Sequence, residues 1–394
     1  MREFDLPVPM RKKITIVSTN LSTNGSNRCL RLAQALSGKY NVEIIGTTFG
    51  VGDRWGEGLW PPLEEEKSVP IRSVRGDYLP GYLPYVWQLL KLMDGDLIIA
   101  CKPRAPSFGV ALIKRLTSRK PVILDIDDDE LAQTLPGRKA RLLKRFVDCT
   151  GHLWTRIVHP LHRLASSKFV VSRNFQSRYG GIVVPHPMDP GELDPSRFDG
   201  AAIRSALGIP DAQIVVGFVG TPSPQKGTDL ILDGIGRLRR KDVVAMIVGA
   251  ATNDSYCIEL KARYGDRLVL VPPQPLSRLP DFLAAVDIVA LPQRNCAETW
   301  GQMPAKLTDA MAMAKPIIAA DRADIGEYLK DRGVLFEAGN LEDFTEKLGW
   351  LVEHRDVWGG MGERSRAFFI DQLTLARVGG VMGAEIDRLL DGRG

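Results

Sequence analysis

Short apolar runs alternate with longer amphipathic stretches along most of the chain, and a polar segment with Gly or Pro usually separates them. Such runs are typical of strands buried on both faces of a parallel sheet, and the amphipathic stretches are typical of helices that cover it. The alternation predicts an α/β protein with doubly wound parallel sheets. The runs predicted as strands are residues 13–19, 42–47, 71–74, 97–101, 121–124, 169–172, 182–185, 214–220, 243–249, 268–271, 288–291 and 317–320.

The length of 394 residues exceeds one typical hydrophobic core, so two domains of roughly 150–200 residues are expected. A segment rich in Pro, Gly and Asp, HPMDPGELDPSRFDG, lies near the middle of the chain and is typical of a linker. The sequence therefore predicts an N-terminal domain over residues 1–190 and a second domain over residues 191–375. Residues 376–394 are predicted to form a final helix.

Composition indicates a soluble globular protein, with 44% hydrophobic and 25% charged residues. The opening MREFDLPVPMRKK lacks the apolar core of a secretory signal, and no run approaches the roughly 18 apolar residues of a membrane-spanning helix. The five cysteines are scattered and have no CxxC spacing, so we expect reduced, buried thiols. A cytoplasmic location is expected.

Residues 287–321 contain the chemistry-bearing pattern of the second domain. Two apolar runs enclose a polar loop and a helix that Pro304 can open, which predicts a strand–loop–helix–strand unit. A helix start that faces a loop can bind an anion, and Gly301 allows the backbone to approach a ligand. Lys306 and Asp309 lie one turn apart on the helix, although a solvated Lys and Asp would give the same spacing.

The run AETWGQMPAKLTDAMAMAKPIIAAD resembles the donor-site motif of family-4 glycosyltransferases of the GT-B fold. The resemblance implies two Rossmann-like domains that face each other across a cleft, with a last helix that crosses back to the first domain. It also implies a retaining, metal-independent transferase whose co-substrate is a nucleoside-diphosphate sugar, with no further cofactor. VPPQPLSRLPDFLAAVDIVALP resembles the segment that meets the nucleobase, through backbone groups that leave UDP, GDP and ADP donors open.

In that family two acidic residues hold the donor, and the resemblance assigns these roles to Glu298 and Asp309. The family pattern anchored on Asp309 would put the first acidic residue at Gly301, so the spacing here is longer. Either a longer loop still brings Glu298 to the sugar as a catalytic residue, or that contact is lost. The loop between them would offer backbone N–H groups to the phosphate and the sugar, and Lys306 would add a cation. The loop residues concerned are Thr299, Gly301, Gln302 and Met303.

The predicted strand at residues 214–220 ends in Gly220 and leads into TPSPQKGTDLIL. A tight loop followed by Lys226 and Gly227 at a helix start fits diphosphate binding, because the lysine supplies charge and the loop supplies N–H groups. This pattern resembles the "GR…KG" donor loop of the same family. The usual Arg is replaced by Thr221, so one of two phosphate cations is missing. Lys226 is the predicted catalytic cation.

Three positions in the first domain follow predicted strands, where ligands of parallel sheets bind. The first loop retains Asn24 and Gly25, where the family has a glycine-rich loop for phosphates or acceptor. Lys102 follows the strand at residues 97–101. Asp127 lies in an acidic cluster where the family often has a His. A role in orienting or deprotonating the acceptor hydroxyl, a Mg²⁺ site and a helix-start cap all remain open for the cluster.

Residues 1–190 carry 28 Lys and Arg against 18 Asp and Glu, whereas the remainder is acidic. The most basic stretch, residues 138–168, interleaves apolar residues at helical spacing. This pattern favours an anionic membrane surface or a phosphorylated acceptor, and the resemblance favours a peripheral position at the inner face of the plasma membrane. Basic helices that simply cover the sheet would give the same pattern. A nucleic-acid partner is not expected.

The sequence as a whole predicts a hexosyltransferase that uses a nucleotide sugar and an acceptor hydroxyl in glycan, polysaccharide or glycoconjugate biosynthesis. An alternative is a non-catalytic GT-B partner or regulatory subunit of an active transferase. It is favoured by Thr221, by Gly301 and by the first loop, which retains only one glycine. A second alternative, a Rossmann dehydrogenase, is disfavoured because no GxGxxG motif follows the first strand.

Overall fold

The computed structural model describes residues 11–49, 58–135 and 142–392, and these residues form two compact units. The first unit contains the described chain up to Ile126, then Thr134–Phe169, and the chain from Gly379 onward. The second unit contains Asp127–Gln133 and Val170–Val378. The predicted domain boundaries at residues 190 and 375 stay predictions. The acidic segment Asp127–Gln133 belongs to the second unit although it follows a strand of the first.

The described residues form a seven-stranded sheet and a six-stranded sheet, with orders β3-β2-β1-β4-β5-β6-β7 and β10-β9-β8-β11-β12-β13. The pairs β1–β2 and β8–β9 are parallel, as are the pairs β1–β4 and β8–β11. The strands are β1 Lys13–Ser18, β2 Asn41–Thr48, β3 Ile71–Arg75, β4 Leu97–Cys101, β5 Val122–Ile126, β6 Ser167–Val170, β7 Ile182–Val183, β8 Ile214–Val219, β9 Val243–Val248, β10 Leu268–Val271, β11 Ile288–Leu291, β12 Ile317–Ala320 and β13 Val334–Phe336.

Helices connect these strands, as the hydrophobic pattern predicts. They are α1 Asn27–Ser37, α2 Pro61–Glu65, α3 Leu83–Leu92, α4 Val110–Ser118, α5 Glu130–Gln133, α6 Leu142–Val147, α7 His152–Val158, α8 Arg173–Tyr179, α9 Ala201–Ala206, α10 Thr228–Leu238, α11 Ser255–Tyr264, α12 Leu279–Ala285, α13 Ala305–Ala312, α14 Ile325–Leu329, α15 Leu341–Glu353, α16 Trp358–Gln372 and α17 Leu375–Leu390. Within the described ranges, none is both long and apolar enough to cross a bilayer.

The predicted strands are confirmed, with small shifts at their ends. β6 begins two residues earlier than its apolar run because Ser166 and Ser167 continue the chain alongside β5, where the Ser166 N–H donates to the Val122 carbonyl at 2.7 Å. β13 was not predicted as a strand, since three residues are too short for a periodic pattern. Its Phe336 is nonetheless fully buried in the second core.

The end of the chain packs against the first unit from Gly379 onward. The Tyr40 hydroxyl donates to the Gly383 carbonyl at 3.0 Å and to an Asp387 carboxylate oxygen at 2.6 Å. Gly379 is needed where it lies, because a β-carbon there would be 2.2 Å from the Ala35 carbonyl oxygen. The last helix is therefore fixed to the end of α1 by both packing and hydrogen bonds.

A buried ion pair joins α1 to the end of β5. Arg28 Nε and one of its terminal nitrogens donate to the two carboxylate oxygens of Asp125, at 2.8 and 2.7 Å. Both side chains are almost completely buried. Since each charge lies away from water, each requires the other, and this pair fixes α1 to the sheet.

Replacing Arg28 by Ala should destabilise the protein by about 3–5 kcal/mol, because the Asp125 carboxylate is left buried without its cation. Urea denaturation followed by circular dichroism measures this loss. Lys39→Ala, which removes an exposed ion pair with Asp387, should change the free energy of unfolding by less than about 1 kcal/mol. The double variant Arg28→Met with Asp125→Leu should recover much of the stability. Equal losses for Arg28→Ala and Lys39→Ala would contradict this account.

Candidate functional site

The loop between β8 and α10 holds Lys226 close to the end of the strand. Lys226 ends a short 3₁₀ helix, Pro224–Lys226, and its Nζ donates to the Thr221 carbonyl at 2.6 Å. Gly227 has φ +68°, and a β-carbon there would be 2.1 Å from the Pro292 carbonyl oxygen. Gly227 is therefore required both by its backbone conformation and by the close approach of the segment after β11. The loop folds Lys226 back over the carboxyl end of β8.

Lys306 reaches the same strand end from α13. A β-carbon added to Gly220 would be 2.1 Å from Lys306 Cε and 2.7 Å from Nζ, so the lysine side chain lies directly against this glycine. Gly220 also has φ +137°, which other residues rarely adopt. Lys306 Nζ lies 5.4 Å from the centroid of the Phe218 ring, within range of a cation–π interaction. The half-buried side chain thus lies against the strand end instead of extending into solvent, which was the generic alternative.

The two lysines share one electrostatic environment. Burial and, to a smaller extent, the charge of Lys306 lower the pKa of Lys226 to about 7, against an opposing effect of the Asp128 carboxylate. Burial also lowers the pKa of Lys306, while Asp309 and Asp128 act to raise it. Burial therefore disfavours the charged form of both lysines, and an additional anion would stabilise it. Such a site fits a phosphate group.

The acidic segment of the second unit lies beside these lysines. Gln302 Nε2 donates to Asp128, and Arg178 donates to Asp129 at 2.9 Å. Carboxylate oxygens of Asp127, Asp128 and Glu130 all lie within 4.8 Å of one another, a grouping of hard oxygen ligands that could hold a divalent cation. The structure thus brings Asp127 into the same unit as the predicted donor residues.

The loop between β11 and α13 is held in place by buried polar contacts. The Thr299 hydroxyl donates to the Arg294 carbonyl at 2.5 Å, and Gln293 Nε2 donates to Gln302 Oε1 at 2.9 Å. Gly301 has φ +74°, and its carbonyl accepts a hydrogen bond from the Ser172 hydroxyl at 2.6 Å. These contacts fix the backbone of the predicted sugar-binding loop without a ligand.

The remaining predicted donor residues surround this loop. Glu298 lies in the 3₁₀ helix Ala297–Thr299, half-buried, and its carbonyl accepts from Gln133 Nε2 at 3.4 Å. Met303 is buried before α13 begins. Asp309 lies one turn after Lys306 and is close enough to raise its pKa. The assignment of Glu298 and Asp309 to the donor sugar stays a prediction.

The predicted residues of the first unit lie at its strand ends. Asn24 and Gly25 are exposed in the 3₁₀ helix Asn24–Ser26 after β1. Lys102 directly follows β4 with φ +71°, and its N–H donates to the Asp125 carbonyl at 2.9 Å. Their role towards an acceptor or a phosphate stays a prediction.

Sequence reasoning missed the contribution of α8. Arg178 pairs with Asp129, and its guanidinium lies 5.2 Å from the centroid of the Trp300 ring. Phe175 packs against the same ring, with 5.8 Å between centroids. The pattern around α8 contains no motif, so only the tertiary structure shows that it braces the acidic segment and the sugar-binding loop.

Of the predicted basic stretch, residues 142–168 belong to the described part of the chain and residues 138–141 lie outside it, and its role towards a membrane or an acceptor stays a prediction. Apolar side chains on α6, α7 and the following 3₁₀ helix remain exposed: Leu143, Phe146, Ile157, Leu161 and Leu164. Trp154 is half-buried, and its indole nitrogen donates to the Phe146 carbonyl at 2.8 Å. This surface is therefore both apolar and basic.

Residues 213–354 match a protein family described as "Glycosyl transferases group 1". The chain is 29% identical over 230 residues to a D-inositol 3-phosphate glycosyltransferase of Nocardia farcinica. The aligned region covers 54% of this chain and 49% of that protein. Over 208 residues the chain is 28% identical to the lipopolysaccharide core biosynthesis mannosyltransferase LpsB of Rhizobium meliloti, covering 48% and 57% respectively. The chain thus spans about half the length of the curated relatives it matches.

Solved structures extend the similarity to nearly the whole chain. Anabaena Alr3699/HepE in complex with UDP-glucose is similar with a TM-score of 0.75 at 19% identity, over 95% of this chain and 99% of that one. WaaG, a glycosyltransferase involved in lipopolysaccharide biosynthesis, gives a TM-score of 0.64 at 13% identity, over 93% and 98%. The predicted GT-B fold, with two Rossmann-like parallel-sheet domains, is confirmed.

Replacing Lys226 by Met should remove a pH-dependent part of the stability. The pKa of Lys226 is about 7 in the folded protein, against about 10.4 for an unperturbed lysine. Between these values the unfolded chain binds more protons, so the free energy of unfolding of the wild type should rise with pH, by at most about 1.4 kcal/mol per unit. Lys226→Met should show a smaller rise in denaturation curves measured across the interval, because the Lys226 contribution is absent while Lys306 and Lys315, whose pKa values burial also lowers, keep theirs.

Lys241→Met provides the matched control, since Lys241 is exposed in the same unit. Its stability should follow the pH dependence of the wild type. Parallel curves for wild type and Lys226→Met would show that the Lys226 ammonium group is not disfavoured in the fold.

Proposed function

We propose that the protein is a glycosyltransferase that moves a hexose from a nucleoside-diphosphate sugar to an acceptor hydroxyl in glycan, polysaccharide or glycoconjugate biosynthesis. One observation carries this proposal: Lys226 lies at the carboxyl end of β8, with Lys306 beside it, in a domain that matches group 1 glycosyl transferases. A pair of partly desolvated ammonium groups at this position favours binding of a diphosphate. The glycosyltransferase names of the curated relatives support the same class.

The proposed donor is a nucleotide sugar, and UDP is the first nucleotide to test because a structural neighbour binds UDP-glucose. The proposed diphosphate contacts are Lys226 and backbone groups at Gly220, Thr221 and Gly227. Backbone groups of Thr299, Gly301, Gln302 and Met303 are proposed to bind the phosphate and sugar, together with Glu298 and Asp309. The fixed conformation of the loop supports this role, because it needs little reorganisation when a ligand binds.

The proposed reaction retains the configuration at the sugar carbon, with the acceptor attacking from the face that the leaving diphosphate occupies. Lys226 would stabilise the charge that grows on the leaving phosphate, and Asp127 would orient the acceptor hydroxyl or accept its proton. The lysine charges support a reaction without a metal, and no cofactor beyond the co-substrate is proposed. The carboxylates grouped around Asp127 could hold a divalent cation, so the proposed metal independence needs a direct test.

Lys226→Ala should lower kcat about 100- to 1000-fold, equivalent to about 2.7–4 kcal/mol of barrier, because the leaving phosphate loses its cation. Turnover is measured with the sugar donor of the nucleotide that binds. That nucleotide is found by thermal melting with UDP, GDP, ADP and dTDP, since a ligand at about 100 times its Kd adds about 2.7 kcal/mol of stability. A variant with normal kcat would remove Lys226 from the mechanism.

The same assay tests the finer parts of the proposal. The anomeric configuration of the first-formed product, followed by NMR, should match that of the donor sugar. Turnover should persist in excess EDTA, and dependence on Mg²⁺ would instead assign the Asp127 grouping to a metal. Nucleotide binding without turnover or donor hydrolysis would favour the alternative, a non-catalytic GT-B partner of an active transferase, which the uncharged Thr221 also favours.

We further propose that the protein is cytoplasmic and lies peripherally on an anionic membrane, at the inner face of the plasma membrane. The basic, apolar surface of residues 142–164 supports this position, because Lys144, Arg145 and Arg156 accompany the exposed apolar side chains. Scattered cysteines without CxxC spacing favour a reducing compartment.

Changing Leu143 and Phe146 together to Ser should reduce co-sedimentation with vesicles that contain anionic phospholipid. Removing two exposed apolar side chains takes away the part of the surface that would enter the headgroup region. Ile258→Ser, at an exposed apolar position on α11 of the second unit, is the matched control and should leave binding unchanged. Equal binding by wild type and the double variant would exclude this surface as the docking region.

A further inference from the structure

Two lysines from distant parts of the sequence contact consecutive residues, Gly220 and Thr221, at the end of β8 in the second unit. Lys226 donates to the carbonyl of Thr221, while Lys306 lies against the α-carbon of Gly220. A side chain at Gly220 would occupy the space of the Lys306 Cε and Nζ atoms. The absence of a side chain at Gly220 therefore leaves room for a second ammonium group at the end of β8. The side chain of Thr221 contributes no charge.

The position of Lys306 is imposed by packing. Its Nζ lies near the face of Phe218, a residue 2% exposed, so part of its hydration shell is replaced by an aromatic ring. Burial lowers the pKa of Lys306, and two carboxylates, Asp309 and Asp128, act against this. A lysine that only covered the surface would extend into water. A lysine held in this way requires an anion beside it.

One of those anions comes from a separate segment of the chain. Asp128 follows β5 but packs in the second unit, where Gln302 Nε2 donates to it. Gln302 is itself held by Gln293, a residue only 5% exposed. The next residue, Asp129, is fixed by Arg178. The Asp128 carboxylate therefore has a defined place. Its charge raises the pKa of both Lys226 and Lys306, against the larger effect of burial.

We propose that Lys306 is the second cation of the diphosphate site, and that Asp128 is an internal anion that neutralises both lysines until the phosphates of the ligand take over this role. The inference rests on the proposed function and adds two residue roles to it. Lys306 is a binding residue, since its ammonium group would contact phosphate oxygens. Asp128 is a positioning residue that acts through the lysines and opposes an entering anion.

This arrangement selects for a diphosphate over a monophosphate. A nucleoside diphosphate brings two phosphate groups, and the two ammonium groups at Gly220 and Thr221 can contact both of them. A nucleoside monophosphate could satisfy only one lysine, while the other would keep Asp128 as its partner. The leaving group of a sugar transfer is the diphosphate itself, so the same pair would favour its departure.

Calorimetric titration of the wild type and of Lys306→Met with UDP, UMP and pyrophosphate tests the role of Lys306. We expect Lys306→Met to weaken UDP and pyrophosphate binding about 10- to 100-fold, and UMP binding much less. Methionine fills a similar volume, so the fold should persist, which circular dichroism and melting check. Lys315→Met is the matched control: Lys315 is a buried lysine of the same unit whose Nζ donates to the Ala284 and Val286 carbonyls at the opposite end of β11. It should leave affinity unchanged.

Asp128→Asn tests the internal anion. The asparagine amide oxygen can still accept from Gln302, so the segment should keep its position while its charge is lost. We expect UDP and pyrophosphate to bind several-fold more tightly to Asp128→Asn than to the wild type. In the Lys306→Met background the same change should have a smaller effect, because one of its two partners is absent. Weaker binding of UDP and pyrophosphate by Asp128→Asn would overturn the proposal that the Asp128 carboxylate opposes the entry of a phosphate group.

These titrations also separate this inference from the proposed function. UDP binding that Lys306→Met leaves unchanged would overturn the role of Lys306 while the donor site stands. Pyrophosphate binding that depends on Lys306, without binding of UDP, GDP, ADP or dTDP, would support the anion site and reject the nucleotide-sugar donor. No binding of any of these anions to the wild type would overturn both.

Discussion

The site in the second unit depends on holding two like charges together where burial already disfavours each of them. Lys226 and Lys306 are brought to the same strand end, and the pKa values of both are lowered. Such a pair is stabilised by anions beside it, and the carboxylates of Asp128 and Asp309 raise the pKa of Lys306 against the effect of burial. The charge that burial disfavours on these lysines is also what would make a phosphate group bind favourably there.

The parallel sheet makes this juxtaposition possible. β8 lies between β9 and β11, so the chain leaves β8 towards one side of the sheet and reaches β11 on the other. Loops that follow adjacent parallel strands meet at this switch point, which is where open α/β sheets bind ligands. Glycines permit the close approach: Gly220 makes room for Lys306, and Gly227 for the carbonyl of Pro292.

The first unit uses charge in a different way. Arg28 and Asp125 are matched, buried and bidentate, so they serve the fold and leave no charge for a ligand. Two residues later the chain enters the acidic segment that packs in the second unit. The basic helices of the first unit instead keep apolar side chains such as Phe146 exposed. Charged residues close together in the sequence thus have different roles. The buried ion pair stabilises the fold, the acidic segment contributes to the electrostatics of the site in the second unit, and the basic helices form an exposed surface.

The sequence by itself determined the two sheets, most strand positions, the GT-B resemblance and the loops of Lys226 and Lys306. Periodicity and glycine placement are local signals, and parallel strands then fix which loop ends meet. It could not decide where the Lys306 side chain points, because a solvated lysine has the same helical spacing. Nor could it place Asp128 and Arg178 beside the loop between β11 and α13, since neither residue belongs to a recognisable motif. Those contacts join residues far apart in the chain, so packing in three dimensions alone decided them.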